Sequence, residues 1–204
     1  MKHLLLALML LLSVSVKGIG ITHGPWICDM DSTSVTIVWV TDKPGLSWVE
    51  LAPEGSDHFY GKARTRYYDI FEGRKVLTDS VHKVHIEGLK PNTKYRYRVF
   101  TQEVAEWRYD DWVTFGKVAC TDVWRGKPYD FTTFPAHPRE ITFLVLNDIH
   151  ERAQFMKDLC KNIDFNKLDF VLLNGDMSNR LRSQQHMMEA YLDTCVQMFA
   201  THTP

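Results

Sequence analysis

Residues Gly88–Val99 read GLKPNTKYRYRV, a turn followed by an alternating run. Leu89 is an apolar plug ahead of the turn. Pro91 fixes its own φ and Asn92 tolerates a left-handed backbone, so the chain reverses here. Beyond the turn, Tyr95, Tyr97 and Val99 alternate with Arg96 and Arg98, the period of two of a strand with one buried face. The same grammar recurs upstream. Val35, Ile37 and Trp39 alternate within SVTIVWV, Ser34–Val40; Ser47–Leu51 follows the turn signal DKPG, and Lys83–Glu87 leads into the turn at Gly88. Short alternating runs punctuated by Pro, Gly and Asn predict an all-β antiparallel sandwich over residues 21–134.

The Leu-x-Pro turn and the Tyr beyond it resemble the strand E to F corner of fibronectin type III domains, where such a Tyr closes the sandwich. With SVTIVW upstream, the region is similar to the N-terminal sandwich attached to purple-acid-phosphatase-like and related calcineurin-like phosphoesterases. Lys62, Arg64 and Arg66, like Lys94, Arg96 and Arg98, recur with period two and read as the solvated face of strands. Trp107, Trp112 and Trp124 pack the sandwich or face a neighbouring domain, with a sugar-stacking platform as the lesser alternative.

After Phe134 the pattern changes. Pro135 and Pro138 mark a linker, residues 135–140. Ile141–Asn147 is then a nearly continuous apolar strand, as expected where helices cover both faces of a sheet. Glu151–Ile163 has helical spacing with Phe155, Met156, Leu159, Cys160 and Ile163 on one side. Leu168–Asn174 is a second buried strand, and Gln184–Ala200 a second helix with Met188, Tyr191, Leu192, Cys195 and Phe199 inward. The order β-α-β-α over 141–204 implies parallel strands and a right-handed crossover. The fold class is therefore multidomain, a β-sandwich followed by the start of an α/β domain.

Both α/β strands end in polar residues. The first exits at Asn147-Asp148-Ile149-His150, the second at Asn174-Gly175-Asp176. Adjacent parallel strands bring Asp148, His150 and Asp176 together at the sheet edge where open α/β sheets bind ligands. Two carboxylates and an imidazole suit Mn, Fe or Zn, whereas Ca or Mg favours oxygen donors alone. The plainer alternative is that Asp148 merely caps the helix beginning near Glu151.

FLVLNDIH and DFVLLNGDMSN are similar to the first two motifs, D-x-H and G-D, of calcineurin-like metallophosphoesterases. The resemblance implies hydrolysis of phosphoesters at a centre of two divalent or trivalent ions, Mn, Fe or Zn. Asp148 and His150 would bind the first ion and Asp176 would bridge both. Purple acid phosphatases proper carry a Tyr ligand three residues after the Gly-Asp aspartate; Asn179 stands there in this chain, so an iron–tyrosinate centre is not expected. The later G-N-H and G-H-x-H motifs do not occur after Asp176. The expectation is an N-terminal portion of a phosphoesterase, C-terminally truncated, that does not turn over substrate unaided.

Residues 1–20 read as a secretory signal peptide: Lys2 precedes the apolar run Leu4–Leu12, and small residues follow. The run is too short to span a bilayer, which takes about 20 residues. Export to a periplasmic or extracellular space follows, with no membrane span after cleavage. With 24 basic and 25 acidic residues the net charge is −1, which offers no field for nucleic acid. Cys28, Cys120, Cys160 and Cys195 lack CxxC spacing, so no disulfide scaffold is expected, although export would permit one bond. The partner expected is a phosphoester substrate. The competing reading is a noncatalytic secreted binding module using the sandwich, with a vestigial α/β tail. A nucleotide-binding α/β domain is the weakest, because neither GxGxxG nor a P-loop is present.

Overall fold

The computed structural model describes residues 18–108, 112–137 and 140–204. The leader expected at 1–20 thus lies largely outside the described residues, as do two residues of the 135–140 linker.

Three strands, β1 (Ile21–Cys28), β2 (Val35–Thr41) and β7 (Val81–Ile86), form one antiparallel sheet in the order β1-β2-β7. Facing it are β3 (Gly45–Pro53), β4 (Thr65–Tyr68) and the long β8 (Lys94–Arg108). A small ribbon, β5 (Ile70–Phe71) with β6 (Arg74–Lys75), leads back to β7. The free edge of β8 is filled twice. β9 (Trp112–Cys120) pairs with its far half and β10 (Tyr129–Thr132) with its near half, with Cys120 opposite Phe100 and Tyr129 opposite Tyr97. The two are one interrupted edge strand, from which residues 121–128 loop out.

The alternating residues of the opening stretch do what their spacing predicts on one side. Tyr97 and Val99 enter the sandwich core beside Val35, Ile37, Trp39 and Val49, with Leu89 plugging its end. The Tyr95 hydroxyl accepts a hydrogen bond from the Lys90 backbone N–H at 2.9 Å, tying the turn to the strand that follows it. On the other side the expectation of a solvated face fails. Arg96 and Arg98 are only 9% and 8% exposed. The connection after β3 folds back over them: Arg96 donates to the Pro53 and Asp57 carbonyls and pairs with the Asp57 carboxylate at 2.7 Å. Arg98 donates to the Thr121 carbonyl. Alternation assigns the face, and loops distant in sequence decide whether water reaches it.

His82, fully buried, sits beside Trp39 with ring centroids 5.4 Å apart. Its Nε2 meets the Thr41 hydroxyl at 2.7 Å, while Nδ1 is sealed in without a partner. Thr41 donates to the Lys43 carbonyl, so the ring donates to Thr41 and a proton on Nδ1 would be buried unpaired. Burial pushes the imidazole down to about 4 from 6.5. Between those values the unfolded chain binds a proton that the folded chain refuses, so stability falls as pH drops through that window. At about 1.4 kcal/mol per pH unit the loss approaches roughly 3 kcal/mol. Urea unfolding at pH 7 and pH 4.5 should show a steeper decline for the native protein than for His82→Gln; equal declines would refute it.

The α/β portion is smaller and less covered than its sequence suggests. β11 (Phe143–Leu146) and β12 (Phe170–Leu173) are parallel and in register, Phe143 opposite Phe170. Leu146 is buried and Leu144, Val171 and Leu173 pack against the second core, but Phe143, Val145 and Leu172 are exposed. One face of the two-stranded sheet is covered, not both as the apolar run predicts. The first helix, α1 (Ala153–Leu159), is shorter than the spacing indicated. Its start is delayed by left-handed backbone at His150 and Glu151. Met156 and Cys160 point inward; Phe155, Leu159 and Ile163 do not.

The second helix, α2, runs from 184 to 200 and alternates α turns with π turns at Met188–Leu192 and Val196–Ala200. Ser183 caps it by accepting from the His186 N–H. Its inner side, including Cys195, Phe199 and Ala200, forms the second core with Ile149 and Met177, and Trp26 of β1 joins from the sandwich. Further links to the sandwich are the Tyr97 hydroxyl donating to the Thr201 carbonyl at 2.8 Å and His23 Nδ1 at 3.0 Å from the Asp193 carboxylate. All four cysteines are free thiols. No helix among the described residues is long and apolar enough to cross a membrane.

Candidate metal centre

Beyond their last paired residues, β11 and β12 continue side by side as two loops. Asn174 N–H donates to Leu146 O, Asp148 N–H to Gly175 O, His150 N–H to Asp176 O and Glu151 N–H to Met177 O, at 2.8 to 3.3 Å. Within each loop one residue is an anchor. Ile149, fully buried, and Met177 plug into the second core, so their neighbours Asp148, His150 and Asp176 stand above the sheet edge. The residue between the aspartate and histidine of D-x-H thus fastens the loop while its flanks carry donors.

The three residues chosen from the sequence come together here. Each offers one ligand atom, and these atoms lie within 4.8 Å of one another. His150 Nε2 is 3.6 Å from Asp148 Oδ1. Asp148 does not cap α1: the capping position is Arg152, and no side chain bonds there. Asp148 accepts instead from the Asn147 side-chain amide.

The backbone is held in an uncommon conformation. Asp148, His150, Glu151 and Asp176 all have φ between +49 and +64, and Gly175 has φ +106. These are four of the seven non-glycine residues with positive φ in the described chain. Such residues cost about 1–3 kcal/mol each and cluster at functional sites, where surrounding structure holds them in place.

Sequence reading missed what holds the two loops to each other. Glu151 Oε1 accepts from the Ser178 hydroxyl at 2.7 Å and from the Asn179 backbone N–H at 3.1 Å. Its Oε2 lies 3.7 Å from His186 Nε2 at the start of α2. The Ser178 hydrogen bond, the Asn179 N–H and the nearby His186 and Arg182 hold the Glu151 carboxyl below its usual range. Arg152 adds two bonds, to the Asp148 and Ile149 carbonyls. The only local signal was position, an acid directly after D-x-H and a hydroxyl two residues after the second aspartate. Asn179 bonds through its backbone, consistent with a loop-shaping residue. A cleft of about 240 Å³ beside Asp176 is bounded by Ser178, Leu181 and Tyr191. Substrate pockets generally exceed about 300 Å³.

Glu151→Ala is expected to loosen the loops and weaken Mn²⁺ or Zn²⁺ affinity by about 10–100-fold, the loss typical of residues that orient ligands. Glu151→Gln keeps an acceptor oxygen and should retain most of the affinity. Equal losses in both, or none in Glu151→Ala, would remove the positioning role; titration calorimetry reads either.

Fold and site together define an arrangement: a β-sandwich abutting a two-stranded parallel sheet whose strand ends present two carboxylates and an imidazole. Residues 26–116 match the purple acid phosphatase N-terminal domain. A purple acid phosphatase isolated from yellow lupin (Lupinus luteus) seeds has a similar fold, with TM-score 0.56 at 16% identity, covering 88% of this chain and 33% of that one. The chain thus spans about a third of that structure's length. The fibronectin type III domain of human fibronectin type III domain containing protein 3 aligns at 15% identity and TM-score 0.35, covering 63% of this chain and 97% of that one. Comparison with curated proteins found no match. The sandwich is accordingly similar to the purple acid phosphatase N-terminal domain, and the matched residues end before β11 begins.

Proposed function

We propose that residues 141–204 form the first part of a calcineurin-like phosphoesterase domain, with Asp148, His150 and Asp176 contributing to a dinuclear metal centre. The observation that carries this reading is the convergence of their ligand atoms within 4.8 Å, at the carboxyl ends of adjacent parallel strands. Two carboxylates and an imidazole are the donor set of Mn, Fe or Zn sites. Asp148 and His150 would hold one ion and Asp176 would be shared between two. When bound, such a pair would supply Lewis acidity toward a phosphoryl oxygen and lower the pKa of a bound water towards about 7. The chain's own residues supply placement: Ile149 and Met177 anchor the loops, while Glu151 and Arg152 fix their mutual position.

A dinuclear centre needs more donors than three, and no other cluster of His, Cys, Asp or Glu suited to a metal occurs among the described residues. The chain alone should therefore bind metal weakly and hydrolyse little. The substrate class is a phosphoester, and the expected location is outside the cytoplasm, following the leader at 1–20. The test is hydrolysis of 4-nitrophenyl phosphate by a protein carrying this chain together with the remaining ligand motifs. Mn²⁺ or Zn²⁺ should stimulate it, and Asp148→Asn should abolish the stimulation. Metal-independent hydrolysis that survives Asp148→Asn would overturn the reading.

A further inference from the structure

The outer face of the larger sheet carries a second feature, remote from the metal ligands in sequence. Two excursions from opposite edges of the sheet meet over it: residues 54–64, between β3 and β4, and residues 121–128, between β9 and β10. They touch where Tyr60 stacks on Trp124, with ring centroids 4.5 Å apart and planes 20° from parallel. Both rings face water, Trp124 at 77% exposure and Tyr60 at 43%. Tyr60 also borders a pocket of about 550 Å³ lined by Lys62, Arg64, Arg66, Arg98 and Phe100, with Glu50 its one acid.

The charges around this pocket do not balance. Lys62, Arg64 and Arg96 share the single carboxylate of Asp57, and Arg66 takes that of Glu50. Arg98 has none. Its Nε and Nη2 donate to the Thr121 carbonyl and the Cys120 sulfur, its guanidinium lies 4.7 Å over the Phe100 ring, and its Nη1 has no partner among the described residues. Five cations therefore meet two carboxylates at the pocket. A third carboxylate, Asp122, accepts from the Trp124 backbone N–H at the edge of the aromatic plate, on an excursion that also carries Arg125 and Lys127. Arg98 Nη1 is not among the sealed-in atoms that lack a partner, so on the pocket side the guanidinium is open to take an anion.

We propose that this face binds an anionic saccharide. The acid group pairs with Arg98, supported by Arg64 and Arg66, and a sugar ring stacks on the Tyr60–Trp124 plate. A planar guanidinium fork matches a carboxylate or sulfate, and an exposed aromatic face beside it suits the C–H face of a pyranose. Nucleic acid fits less well, since the chain's near-neutral charge provides no long-range attraction for a polyanion.

Calorimetric titration of the whole chain with a heparin-derived hexasaccharide, hexagalacturonate, maltohexaose and a dT₆ oligonucleotide tests this. Binding of the first or the second supports the proposal and assigns the acid as sulfate or carboxylate. Arg98→Gln should weaken that binding about tenfold or more. Trp124→Ala, which removes an exposed ring and should leave folding intact, should weaken it about two- to tenfold. The proposal is overturned if neither anionic sugar binds, if maltohexaose binds as well as they do, if dT₆ binds more tightly than both, or if Trp124→Ala leaves affinity unchanged.

Discussion

Asp176→Asn is expected to take the chain's weak affinity for Mn²⁺ or Zn²⁺ below detection, a larger loss than the roughly 10–100-fold that supporting residues command. The substitution is mild structurally. Asn tolerates the left-handed backbone that Asp176 adopts at φ +49. The residue's carbonyl still accepts from the His150 N–H, and Met177 beside it still anchors the loop. What disappears is one negative charge at the point where Asp148 and His150 converge. Titration calorimetry, with circular dichroism to confirm an unchanged fold, reads the loss directly. Unchanged affinity would mean that Asp176 shapes the loop and holds no ion.

Trp39→Ala is expected to cost about 3–5 kcal/mol, a large share of the roughly 5–15 kcal/mol that stabilises a domain. The indole is fully buried at the centre of the sandwich. Its Nε1–H donates to the Thr101 hydroxyl at 2.9 Å, which in turn meets Ser47 at 2.8 Å. Alanine leaves a cavity the size of a ring system and a buried hydroxyl pair short of one donor. Urea unfolding should show a much lower midpoint, with near-ultraviolet dichroism already weakened without denaturant. A loss below about 1 kcal/mol would mean that the two sheets repack without the indole.

Local chemistry made parts of the molecule legible and left others closed. The Leu89–Tyr95 corner is readable because a turn, its plug and its Tyr lie within a few residues of one another. Convergence of Asp148, His150 and Asp176 is readable because parallel strands joined through a helix must end at the same edge, and both ended in donors. Arg96 and Arg98 were misread because periodicity carries no information about distant loops; residues 54–64 and the Thr121 excursion cover that face. The helix after His150 came out shorter than its apolar spacing because the loop spends its first residues in left-handed backbone. Glu151, Ser178 and His186 show no motif at all, since only the folded arrangement brings them into contact. The exposed face at Phe143, Val145 and Leu172 follows from the same limit: an apolar run marks what a strand can bury, not what is there to bury it.

A metal held by the strand-end residues is tested most directly by pulsed electron paramagnetic resonance of the chain at saturating Mn²⁺. The prediction is nitrogen coupling from one imidazole, lost in His150→Gln and retained in His186→Gln. Absence of any nitrogen coupling, or coupling that survives His150→Gln, would contradict it.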